Sequence, residues 1–113
     1  MAQDSTNPQR DFIIQRGANL VFTQHVAANL TGHSFTLVGE QSHGATTADV
    51  FSLSTLGGEI TISVQGNHTD IICTFDDSLT LGFTAPAYGV YALQGTSASV
   101  TTRYAEGTFY VVP

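Results

Sequence analysis

The chain has 113 residues, with 9 acids against 3 bases, a formal net charge of −6 and no lysine. Phosphate backbones and anionic membrane surfaces are held by clustered Lys and Arg, so neither is an expected partner. With 42% hydrophobic and 10% aromatic residues, the composition is that of one folded domain and not of a disordered chain.

Residues 1–10 read as a polar, flexible N-terminal arm, and residues 11–113 as the domain body. The arm has no apolar stretch of the kind a signal peptide carries, and no run in the chain approaches the ~18–20 apolar residues of a membrane span. The expected site of synthesis is therefore a cytoplasm. Along the body the hydrophobic period is two. Leu20, Phe22 and Val26 share one face, with Thr23 and His25 on the other. Phe35 and Leu37 alternate with Ser34, Thr36 and Val38. Phe51 and Leu53 follow the same rule, as do Ile60, Ile62 and Val64, then Ile71, Cys73 and Phe75, and finally Phe109 and Val111. Successive strand side chains point to opposite faces, so each run describes one buried and one solvated side.

Turn signals separate the runs at Gly17, Gly32, Gly57-Gly58, Gly66-Asn67, Gly95 and Glu106-Gly107. The stretch from Glu40 to Asp49 reads as the longest loop. One short helix is expected over Asp76–Leu81, capped by Asp76 or Asp77 and stopped by Gly82 and Pro86. Seven to eight short strands joined by tight turns predict an all-β fold, an antiparallel β-sandwich.

Chemistry-bearing patterns are sparse. His25, His33, His43 and His68 make no zinc-ligand spacing, and a zinc site needs three or four converging ligands. They read as exposed polar residues, His25 on the polar face of a strand and the others at turns. Gly32-His33-Ser34-Phe35-Thr36 lacks the second glycine of a nucleophile elbow and opens a strand, so it reads as a turn. No phosphate-binding glycine loop is present. Asp76-Asp77, the adjacent acidic pair, is explained by helix capping better than by acid–base work. Asn29-Leu30-Thr31 and Asn67-His68-Thr69 match the glycosylation sequon, of which the Ser/Thr content alone produces about one, so the pair is weak evidence for glycosylation. Cys73, the one cysteine, lies in an apolar run and reads as a small buried hydrophobe. Tyr91, two residues after Gly89, is expected to pack at a sandwich corner with its hydroxyl bonded to backbone, and Tyr88, Tyr104 and Tyr110 in the core or at edges. The residues thus name no catalytic, cofactor-binding or metal site, no cofactor, and no enzyme.

Five segments in order carry a resemblance: Asp11-Phe12-Ile13-Ile14-Gln15-Arg16-Gly17, Asn29-Leu30-Thr31-Gly32, Gly58-Glu59-Ile60-Thr61-Ile62, Gly89-Val90-Tyr91-Ala92-Leu93, and Glu106-Gly107-Thr108-Phe109-Tyr110-Val111-Val112-Pro113. Together they resemble the small immunoglobulin-like domain of bacteriophage tail and baseplate structural proteins. His33 departs from the aromatic usual after Leu-Thr-Gly, and Ala92 stands where an acid is common. The resemblance implies an immunoglobulin-like sandwich with no catalytic residues. It also implies a virion structural protein, made in the host bacterial cytoplasm, that packs with other virion proteins as a tail or baseplate adaptor. A capsid decoration protein and a carbohydrate- or host-surface-binding module are the alternatives. The absence of lysine adds to this expectation, because lysine is a common guard against edge-to-edge strand pairing. Edges covered by other subunits, and a homo-oligomer, are therefore expected.

Overall fold

The computed structural model describes residues 11–41, 49–83, 85 and 87–113. The expected arm, and most of the expected loop between Glu40 and Asp49, lie outside the described residues. Eight strands form: β1 (Phe12–Gln15), β2 (Leu20–Val26), β3 (Ser34–Glu40), β4 (Phe51–Ser54), β5 (Ile60–Gln65), β6 (His68–Phe75), β7 (Ala87–Ser97) and β8 (Val100–Val112). A five-residue helix, α1 (Asp77–Leu81), joins β6 to the segment before β7.

The strands build two sheets, in the orders β1-β8-β7-β3-β4 and β2-β6-β5. Strands two, five and six thus face strands three, seven and eight. That division, with a short extra strand beside β3, is the immunoglobulin-like sandwich. All pairings are antiparallel but one: β1 runs parallel to β8, with Ile14 opposite Val111. The expected antiparallel sandwich forms, with this one parallel pairing added at its edge. The chain crosses from one sheet to the other at Gly17, so its first strand enters the far sheet alongside the last one.

The alternating runs fill the space between the sheets. Phe22, Phe35, Leu37, Leu53, Ile71, Cys73, Phe75, Tyr91, Leu93, Phe109 and Val111 are all buried. Phe22 of β2 and Tyr91 of β7 meet edge to face across the sandwich, with centroids 5.6 Å apart. Immunoglobulin domains of antibodies bridge the sheets at the middle of the sandwich with a disulfide. Here, with one cysteine, an aromatic pair connects them. Such pairs contribute about 0.5–1.5 kcal/mol beyond the area they bury.

Gly17, Gly32, Gly58 and Gly66 take positive φ, so these four expected turns form where the sequence puts them. Gly95 and Gly107 do not. Both lie inside strands, Gly95 opposite Phe35 and Gly107 opposite Tyr91. Gly95 is small for packing and not for turning: a Cβ there would lie 2.7 Å from the Phe35 ring and 2.8 Å from Tyr104. The turn expected at Gly95 falls instead at Ala98-Ser99, with φ of 51° and 72°, and the one expected at Gly107 does not form, because β8 runs through it. Two successive positive φ values match the twist of a two-residue hairpin, and neither residue announces it.

Two buried threonines fasten the turns. Thr80 Oγ1, in α1, accepts from Gly17 N at 3.0 Å and donates to Ala18 O at 2.8 Å. Thr69 Oγ1, in β6, accepts from Leu30 N at 3.0 Å and donates to Ala28 O at 2.8 Å. Asp76 caps α1 as expected, accepting from Asp77 N at 3.0 Å and from Ser78 Oγ at 2.9 Å.

Candidate functional site

The outer face of the five-stranded sheet carries an apolar row set by strand register. Ile13 lies opposite Tyr110, and Tyr110 opposite Tyr88. Their chain neighbours Ile14, Phe109 and Val111 point into the core, so alternation sends these three outward. They are 62%, 43% and 69% exposed. Beside the row runs a groove of about 550 Å³ whose lining also includes Asp11, Gln41, Val90 and Thr108. Asp11 Oδ1 accepts from Thr108 N at 3.1 Å and from Thr108 Oγ1 at 2.8 Å, which ties the start of β1 to β8. Gly89 lets the end of β3 come close, since a Cβ would sit 2.0 Å from the Glu40 carbonyl oxygen.

This face offers contact chemistry. Exposed tyrosines combine an apolar ring with a hydroxyl and suit protein interfaces and saccharide faces alike. Among the described lining residues, Asp11 is the one carboxylate, and a glycosidase needs two. Tyr91, by contrast, is fully buried, within β7 and not at the expected corner. Tyr104 is half-buried against Phe35, with centroids 6.0 Å apart.

A second cluster lies on the outer face of the other sheet. His25 on β2 pairs in register with Asp70 on β6, and His68 sits two residues before Asp70 on the same face. His25 Nδ1 contacts Asp70 Oδ1 at short range, and His68 Nε2 lies 3.5 Å from the same oxygen. The two imidazole rings have centroids 5.8 Å apart. Both histidines are exposed, as expected, and the structure adds that they converge on Asp70. No local spacing could reveal it, because the residues converge through the β2–β6 register. His33 stays apart, stacked against Phe35 with centroids 6.1 Å apart and planes 19° off parallel. His43 lies outside the described residues.

The remaining polar candidates serve the fold. Asn29, of the first sequon, accepts through Oδ1 from Thr31 N at 3.0 Å and donates through Nδ2 to Gly66 O at 3.1 Å. It fixes the turn before β3. Gln24, which the alternation places inward between Phe22 and Val26, is buried. Its Nε2 donates to His25 O at 3.1 Å, and its Oε1 has no partner among the described residues. Cys73 is fully buried, and that burial pushes its thiol pKa up to about 12. Among the described residues no helix is long and apolar enough to cross a membrane.

No protein-family model matches the chain. No curated protein matches it either. Among solved structures it is similar to a chain in the crystal structure of the ZIG-8-RIG-5 IG1-IG1 heterodimer, monoclinic form. The identity is 14% and the TM-score 0.44, over 98% of this chain and 88% of that one. Strand order and register, not this likeness, make the chain an immunoglobulin-like all-β sandwich.

Proposed function

We propose that this chain is a non-catalytic virion structural protein, a phage tail or baseplate adaptor that docks onto other subunits through the outer face of its five-stranded sheet. The observation that supports docking is the row Ile13–Tyr110–Tyr88, three large side chains side by side and open to solvent. Burying such a row against a partner removes apolar area from water, at roughly 25 cal/mol per Å². The low charge of the chain, 12 ionisable Asp, Glu and Arg side chains in 113 residues, leaves little like-charge repulsion between packed copies. Support for a virion comes from the five sequence segments that resemble tail and baseplate domains.

The first test is size-exclusion chromatography with light scattering on the full chain and on Ile13→Ser/Tyr88→Ser. The expected result is an oligomer that the double variant converts to monomer. A wild-type monomer at high concentration would sink the homo-oligomer. Electron microscopy of assembled particles then separates a tail or baseplate position from a capsid decoration.

A specific observation also favours a second reading, a module that binds carbohydrate on a host surface. Tyr88 and Tyr110 lie side by side next to Asp11 and Gln41, which is the polar-flanked ring pair such a module needs. A glycan array probed with wild type and with Tyr88→Ala tests it; no signal, or an unchanged one, rejects it.

A further inference from the structure

We infer that His25, His68 and Asp70 form a binding site for a divalent transition-metal ion of the zinc class, on the opposite sheet from the proposed docking face. The donor set is two imidazole nitrogens and one carboxylate oxygen, and these three atoms lie within 4.8 Å of one another. A tetrahedral ion with bonds of about 2.0–2.2 Å holds its ligand atoms roughly 3.3–3.5 Å apart. His68 Nε2 and Asp70 Oδ1, at 3.5 Å, already have that spacing. His25 Nδ1 sits closer to Asp70 as a hydrogen-bond partner, so the ion inserts by turning one ring away from the carboxylate.

The backbone brings the three together before any ion arrives. His25 and Asp70 are directly opposed in the β2–β6 pairing, and His68 follows from the two-residue strand period. Both histidine side chains are more than half exposed, at 68% and 53%. Their rings therefore turn without disturbing the core, and an ion reaches them from solvent directly. Asp70 is held more firmly, with its side chain 25% exposed, and supplies the fixed point of the site. On the far side of β6, Ser63 and Gln65 of β5 lie opposite Asp70 and His68 and bring no positive charge. The net charge of −6 further favours a cation.

Two imidazoles select zinc, nickel, cobalt or copper over magnesium and calcium, which prefer all-oxygen cages. Three protein ligands leave the fourth tetrahedral position open to water or to a donor from another molecule. This inference stands apart from the docking proposal, since it uses different residues on a different sheet.

The test is titration of the untagged full chain with Zn²⁺ by calorimetry, and with Co²⁺ by visible absorption. Wild type is compared with His25→Gln, His68→Gln and the double variant. The expected result is one ion per chain, tetrahedral Co²⁺ bands, and no competition from excess Mg²⁺. Each single variant loses affinity by more than roughly tenfold, the lower bound for losing even an outer-shell partner, and the double variant loses binding. All these side chains are exposed, so the variants keep the fold, which circular dichroism verifies. Absence of binding in wild type overturns the inference. So does binding that survives the double variant, since the ion would then sit elsewhere in the chain.

Discussion

Arg103 donates to Glu106 across 2.9 Å, although residues three apart on a regular strand face opposite sides of the sheet. The register explains it. Leu93 pairs with Ala105 but Gln94 pairs with Arg103, so Tyr104 is an extra residue in β8. This β-bulge shifts the alternation by one and brings Arg103 and Glu106 to the same outer face, while Tyr104 packs inward on Phe35. The ion pair is a consequence of the bulge and not its cause. Both side chains are partly exposed, so Glu106→Gln is expected to cost under about 1 kcal/mol. Deleting Tyr104 removes the extra residue, leaves both registers in place and restores regular alternation, so its cost is the ring's packing against Phe35, which should exceed that of the ion pair. Urea denaturation of the two variants checks the order.

Thr80 is a buried hydroxyl with a definite task, joining α1 to the crossover at Gly17 and Ala18. Thr80→Val keeps the shape and strands a backbone donor and acceptor. It is expected to lower stability by about 1–3 kcal/mol. Hydrogen exchange should show the loss first at Gly17 and along α1, and uniform protection there would contradict the assignment.

The hairpin turn at Ala98-Ser99 holds two non-glycine residues at positive φ, a conformation that costs an L-residue roughly 1–2 kcal/mol. Replacing the pair by Asn-Gly suits the same turn. The double variant should be more stable by about 1 kcal/mol, with a matching rise in Tm on thermal melting.

Cys73 gives a pH dependence with a definite sign. Its thiol titrates near 9.0 when unfolded and near 12 in the native chain, because burial disfavours the thiolate. Between those values the unfolded chain has released the proton and the native chain has not, so this group lowers stability as pH rises from 9 towards 12. Urea midpoints should fall over that window, and less so in Cys73→Ala. A thiol reagent at neutral pH should label Cys73 in the unfolded chain and leave the native one untouched.

Much of the fold is legible in the chain itself. Alternation of Phe35 with Leu37, Ile71 with Cys73 and Phe109 with Val111 names the buried face of each strand, because a strand's period is two whatever it pairs with. Gly17, Gly32, Gly58 and Gly66 mark their turns, because positive φ is a local demand that a local residue meets. Asp76 caps its helix for the same reason.

The strand alongside which each strand lies is a different matter. It depends on packing between residues distant in sequence, and that packing alone sets β1 parallel beside β8, puts Gly95 and Gly107 inside strands, and gives β8 its bulge. The surface sites follow the same division. Tyr88, Tyr110 and Ile13 are ordinary strand residues until register sets them in one row, and His25 and Asp70 are 45 residues apart until β2 meets β6. Residue identity and local alternation set what each side chain can do and which way it faces along its own strand. The sheet pairing, a sum of many weak non-local contacts, decided which of them act together.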